Sequence, residues 1–156
     1  MRLAGLVAAG VFGLDQISKY VVVHGLGLAQ VLAIDVAPPF LNFRMAWNRG
    51  VNFGLFSNEA DLARWLLIVL ALAIAGWVWL WVRREPQTPL VQVAAGLLIG
   101  GALGNVIDRV IYGAVADFLN MSCCGLANPY AFNVADVAIF AGAIGLVLFS
   151  GRAKTP

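Results

Sequence analysis

Two carboxylates, Asp117 and Asp136, stand out in a chain otherwise poor in charge. Asp136 lies about one turn into an apolar stretch, where an unused carboxylate costs several kcal/mol. Asp117 precedes it by a segment containing Gly125 and Asn128-Pro129, which lets the chain fold back. By itself Asp117 also fits a solvated loop residue. Taken as a pair, the two could hydrolyse a peptide. That reaction needs a base to activate water and an acid to protonate the carbonyl and then the leaving amine. Two close carboxyl groups share one proton, because both resist ionising together. Neither metal nor cofactor is then required. Asp136 faces the positive end of a helix dipole, so Asp117 is expected to hold the proton more often. The pair titrates as a unit, and sequence does not assign the proton.

Further polar residues gather near the same ends of apolar segments. Asn105, Asp108 and Arg109 share a helix face by i, i+3 and i, i+4 spacing. Asn133 and Asp136 are three apart, and Asp15 and Lys19 are four apart and can pair. Ordinary roles exist for each. Arg109 could complement a helix C-terminus with Asp108 neutralising it, and Asn133 could be a helix cap. Asn48-Arg49-Gly50 reads as a turn.

The elements that must position these residues belong in lipid. The chain has 156 residues, one domain's worth, and is 62% hydrophobic and 12% charged. A soluble domain of that size could not bury so much apolar surface. About 20 apolar residues cross a bilayer. Four spans are expected, at about residues 3–23, 62–82, 89–111 and 132–150. A cleavable leader competes for the first, but no A-x-A site precedes Asp15. Arg2, Arg83, Arg84, Arg152 and Lys154 fall on one side of a four-span chain, which should be cytoplasmic. Residues 24–61 and 112–131 then face outward. Pro38-Pro39 and Asn48-Arg49-Gly50 rule out one continuous helix there, residues 40–47 suit a short strand, and Asn58-Glu59-Ala60-Asp61 offers a helix start. Gly96, Gly100 and Gly104 repeat at i, i+4, a spacing for close helix packing.

Four ordered motifs resemble the lipoprotein signal peptidases (signal peptidase II). Asp15-Gln16-Ile17-Ser18-Lys19 is similar to the family's D-Q-x-[ST]-K, and Asn48-Arg49-Gly50-Val51-Asn52-Phe53-Gly54 to its N-x-G-x-x-F-G loop. Gly104-Asn105-Val106-Ile107-Asp108-Arg109 with Val115-Ala116-Asp117-Phe118 resembles G-N-x-x-D-R…V-x-D-F. Phe132-Asn133-Val134-Ala135-Asp136 resembles F-N-x-A-D. Asn52 departs from the small residue usual there. The resemblance implies that Asp117 and Asp136 are catalytic aspartates, with supporting roles for Asp15, Lys19, Asn48, Gly50, Asn105, Asp108, Arg109 and Asn133. It implies an all-α membrane fold of four transmembrane helices with a small extracytoplasmic β-cradle and a short surface helix. The implied substrate is a diacylglyceryl-modified prolipoprotein, cut just before its lipidated cysteine. The implied inhibitors are of the globomycin type, and the implied setting is the bacterial inner membrane, with both termini cytoplasmic and the chain monomeric.

Other readings are weaker. A proton-coupled carrier would also hold intramembrane Asp and Lys, but along a path rather than at one face. A scaffold subunit would explain only the glycines. A net charge of +2 without a basic cluster does not suggest a nucleic-acid partner. One histidine, His24, excludes a multi-histidine metal site. Cys123 and Cys124 are adjacent, with Cα atoms closer than disulfides usually span, so two reduced thiols are expected. The loop aromatics Phe43, Trp47, Phe53 and Phe56 either cover the site or anchor the chain at the interface.

Overall fold

The computed structural model describes residues 1–50, 57–84, 86–123 and 128–150. Helix α1 (Arg2–Lys19) runs on into a π-helical turn, Tyr20–Gly25. A short α2 (Leu28–Val31) leads into β1 (Ala33–Ala37) and β2 (Leu41–Asn48). Two long helices follow, α3 (Ser57–Arg84) and α4 (Pro89–Tyr112), then β3 (Val115–Asn120) and α5 (Val134–Phe149).

Local chemistry sets the boundaries that matter for the site. Thr88 caps α4 by accepting from the Val91 amide at 3.3 Å, and Pro89 occupies the first turn, where its missing N–H costs nothing. Gly113, with φ 75°, ends α4 in the left-handed conformation that glycine adopts without a Cβ clash. That turn sends the chain directly into β3. Asn133 and Asp136 form a reciprocal capping box at the start of α5.

Among the described residues, three helical stretches of 24 residues are long and apolar enough to cross a membrane: Arg2–Gly25, Asp61–Arg84 and Pro89–Tyr112. Helix α5 is apolar but has 16 residues. At 1.5 Å per residue it reaches about 24 Å, short of the roughly 30 Å hydrocarbon core. The expected span over 132–150 is therefore shorter than its apolar run suggested, because Asn133 caps it from outside and the helix starts at Val134.

Helix α4 is the hub. Of its most apolar 18 residues 67% are buried, against 28% and 22% for the matching stretches of α1 and α3, and it packs on α1, α5 and α3. Its glycines allow this. A Cβ on Gly96 or Gly100 would sit 2.7 Å and 2.5 Å from the backbone oxygens of Ala4 and Ala8 in α1, and one on Gly101 would sit 2.5 Å from that of Ala135 in α5. The glycine spacing thus serves packing, as expected.

The strands form one antiparallel sheet in the order β1-β2-β3. The short strand expected over 40–47 is its central strand, flanked by two that the sequence did not announce. Asp117 lies on β3, opposite Ala46, and not in a solvated loop; the hydrogen-bonded edge of β2 captures the segment that follows Gly113. Phe118 is buried with Val22 and Leu28 and meets Phe43 edge-on at 5.9 Å. Phe43 is therefore a packing residue, while Trp47 stays exposed against Tyr112. Cys123 is disulfide-bonded, which corrects the expectation of two reduced thiols; a short Cα separation disfavours a bond without forbidding it. Val51, Asn52, Phe53, Phe56, Cys124, Gly125, Arg152 and Lys154 lie outside the described residues, so the expectations placed on them are not carried further.

Candidate active site

Asn133 is fully buried and joins the two carboxylates. Its Nδ2 donates to Asp117 Oδ1 at 2.6 Å, and its backbone N–H donates to Asp136 Oδ2 at 3.2 Å. Its Oδ1 accepts from the Asp136 amide at 2.9 Å. Each carboxylate receives a second donor from another element. Asn48, at the end of β2, donates from Nδ2 to Asp117 Oδ2 at 3.0 Å. Asn105, on α4, donates from Nδ2 to Asp136 Oδ1 at 2.9 Å. Strand, loop and two helices thus converge on one pair of carboxyl groups.

Gly50 orients Asn48. Its N–H donates to Asn48 Oδ1 at 2.9 Å, which turns the Nδ2 end toward Asp117. Gly50 has φ 88°, and a Cβ there would strike the Leu67 side chain.

The environments of the two carboxylates differ. Asp117 is 3% exposed, while Asp136 is half-buried. Burial, then the negative charge of Asp136, pushes the Asp117 pKa up to about 6; the donors Asn48 and Asn133 and the Lys19 charge oppose this. Asp117 therefore keeps a proton at mildly acidic pH, while water can reach Asp136.

A second polar layer lies beneath. Lys19 Nζ is 2.8 Å from Asp15 Oδ2 and 2.7 Å from Asp108 Oδ2, and it reaches Asn105 Oδ1 at 3.4 Å. The Asp15–Lys19 pair is as the spacing predicted. Asp108 forms its ion pair with Lys19 on α1, where the ammonium lies between two carboxylates, and its charge acts on Arg109 as well. Arg109 donates to the Asn105 carbonyl at 3.3 Å, and its buried Nε has no hydrogen-bond partner among the described residues. Its charge acts on Asp117 and Asp136.

Gln16, beside Asp15 on α1, is a site residue that the sequence pattern alone does not single out. Its Nε2 donates to Asp15 Oδ2 at 3.1 Å, Asp108 Oδ1 at 3.0 Å and the Gly104 carbonyl at 3.3 Å. The signal was present, since an amide beside Asp15 on a lipid-facing helix calls for a partner. A cavity of about 180 Å³ is lined by Gln16, Lys19, Asp108, Trp47, Tyr112 and Ala116. Neither Asp117 nor Asp136 lines it.

Comparison with known proteins gives a consistent result. The family described as Signal peptidase (SPase) II matches residues 7–151. The lipoprotein signal peptidase of Methylorubrum extorquens (strain PA1) is 46% identical over 150 residues, covering 96% of this chain and 86% of that one. That of Methylobacterium radiotolerans is 48% identical over 137 residues, covering 88% and 78%. A bacterial membrane enzyme solved by the in meso method at 1.9 Å superposes with a TM-score of 0.80 at 28% identity, covering 99% of this chain and 96% of that one. A second, at 2.3 Å, gives 0.73 at 28% identity, covering 100% and 94%.

Proposed function

The chain belongs to the signal peptidase II family of aspartic peptidases, and on that premise we propose that Asp117 and Asp136 are its catalytic pair. The enzyme removes signal peptides from lipoprotein precursors. The observation that carries the residue assignment is the Asn133 bridge, which holds the two carboxylates together with unequal burial.

The chemistry follows from that inequality. Asp136, open to water, takes a proton as the water oxygen bonds to the scissile carbonyl carbon. Asp117 delivers its proton to the carbonyl oxygen. The tetrahedral intermediate collapses when the amide nitrogen leaves with the proton held by Asp136, while one hydroxyl of the intermediate re-forms the carbonyl and returns its proton to Asp117. Asn48, Asn133 and Asn105 orient the carboxylates, and the positive charge of Arg109 acts on both of them.

The finer reading is that α5, with its flanking residues, serves as a fourth span, so that residues 1–156 form a single membrane domain. The apolar length of 132–150 supports this. The basic residues at Arg2, Arg83 and Arg84 support cytoplasmic termini in the inner membrane, with the sheet and both aspartates near the outer face. A diacylglyceryl-cysteine substrate suits this placement. Its acyl chains and signal helix stay in lipid while the scissile bond meets the water-accessible Asp136. We expect the enzyme to act as a monomer and to be blocked by globomycin-type cyclic peptides that occupy the same cleft. The test is cleavage of a diacylated prolipoprotein peptide by purified wild type, Asp117→Asn and Asp136→Asn. Both variants should lose at least roughly 1,000-fold in kcat. Near-wild-type turnover in either one refutes the pair.

A further inference from the structure

The geometry points to Lys19 as the positioning residue that sets the spacing between the two catalytic carboxylates; this rests on the assignment of Asp117 and Asp136 made above. Asp15 and Asp108 are 0% and 1% exposed, and the Lys19 ammonium stands between them at 2.8 Å and 2.7 Å. Each of the two spends a further lone pair on a backbone amide. Asp15 Oδ1 accepts from the Ala135 N–H at 3.0 Å. Asp108 Oδ2 accepts from the Ala116 N–H at 3.1 Å. Those amides are one residue ahead of Asp136 and of Asp117. The start of α5 and the start of β3 are therefore tied to the same ammonium, each through one carboxylate.

Two neighbours close the arrangement. Gln16 Nε2 spans Asp15 and Asp108 from the side, at 3.1 Å and 3.0 Å. Gly104 makes room, since a Cβ there would lie 2.5 Å from Asp15 Oδ2. Without the cation, two buried carboxylates would repel each other and carry the two amides apart. With a larger cation they would be held at a wider separation. The size of the cation, and not only its charge, then governs how close Asp117 and Asp136 stand. A dyad that shares a proton is sensitive to that distance, and a misplacement of about 1 Å costs roughly 100-fold in rate.

The test combines kinetics on the lipopeptide with hydrogen–deuterium exchange of the full-length protein in detergent. Lys19→Met should raise exchange in segments 115–120 and 133–137 together, leave α3 protected, and lower kcat roughly 100-fold with KM within about twofold. Lys19→Arg keeps the charge and widens the bridge. It should keep both segments protected yet lose about tenfold in kcat, KM again unchanged. If Lys19→Arg turns over like wild type, the charge suffices and the spacing role is overturned. Exchange that rises throughout the protein in Lys19→Met also overturns it. Should Lys19→Met fail to fold, the half-clamps decide. Asp15→Asn should loosen only 133–137 and Asp108→Asn only 115–120, and the opposite or an undivided pattern refutes the tie. Activity in Asp117→Asn or Asp136→Asn would refute the dyad itself. Inactive aspartate variants beside a fully active Lys19→Arg would refute the spacer alone.

Discussion

At the scale of residues, the site depends on which neutral amides face which carboxylates. Asn133 caps α5 and donates to Asp117. Asn133→Ala should cost about 1 kcal/mol of stability from the lost cap and should also lower kcat, because Asp117 loses its 2.6 Å donor. Thermal unfolding and turnover, measured on one preparation, separate the two effects. Asp117 makes the pH behaviour explicit. Its raised pKa, about 6 against an ordinary 3.8, means that the folded state binds this proton more tightly than the unfolded state. That contribution is fully present below the unfolded value and is lost as pH rises through the folded one. Asp117→Asn should therefore gain melting temperature over wild type at pH 7.5 and much less at pH 4, by no more than about 3 kcal/mol. Catalysis has the matching limb: kcat/KM should fall as pH rises through about 6. Asn48→Ala removes a donor that favours the ionised form, so that limb should move to higher pH. An unchanged limb in Asn48→Ala would mean that Asp117 is not the acid. Sequence reached some of this and not the rest. Asp15 and Lys19 are one helical turn apart, so their pairing was readable. The Asp15 bond to Ala135, 120 residues away, follows no local period.

At the scale of elements, glycine placement decides how closely α4 approaches its neighbours. Gly100→Ala puts a methyl 2.5 Å from the Ala8 backbone oxygen, which cannot yield cheaply, and 2.9 Å from the Val11 Cβ. A loss of about 1–3 kcal/mol is expected, read as a lower melting temperature in detergent. Gly76, in α3, has nothing within 4 Å of an added Cβ. Gly76→Ala should leave stability unchanged or raise it by up to about 1 kcal/mol. Equal effects at the two positions would refute the packing role. The glycine period was visible in the sequence because helix contacts repeat every four residues. The sheet was only partly visible. Residues 40–47 showed a strand, but β3 carries Asp117 and Asn120 on an otherwise apolar run. Its pairing with β2 spans about 70 residues and is interrupted by an irregularity between Phe43 and Ala46. A strand recruited by such distant partners has no signature of its own, so Asp117 read as a loop residue.

At the scale of the whole molecule, placement in the bilayer follows from where the charges fall. Residue Tyr130 is exposed beside the site, and Pro86 is exposed in the turn after α3. With Cys123 and Cys124 replaced by Ser, Tyr130→Cys should react with a membrane-impermeant maleimide on intact cells, and Pro86→Cys only after the cells are opened. The reverse pattern would invert the topology argued from Arg2, Arg83 and Arg84. The three apolar stretches long enough to span were plain in the sequence. The length of α5 was not, because hydrophobicity marks what lipid tolerates and the Asn133 cap marks where the helix begins.

The polar pair on α1 also bears on how the protein is made. Helix α1 leaves the ribosome long before its partners. Asp108 follows Asp15 by 93 residues, and Ala135 follows it by 120. During that interval the first span must rest in or beside the translocon with an acidic and a basic group and none of their distant partners. Lys19 bonding Asp15 one turn away is the one neutralisation available from α1 alone. The same contact that anchors the finished site thus makes early membrane entry tolerable, and the arrival of α4 converts a temporary local pair into a permanent shared one.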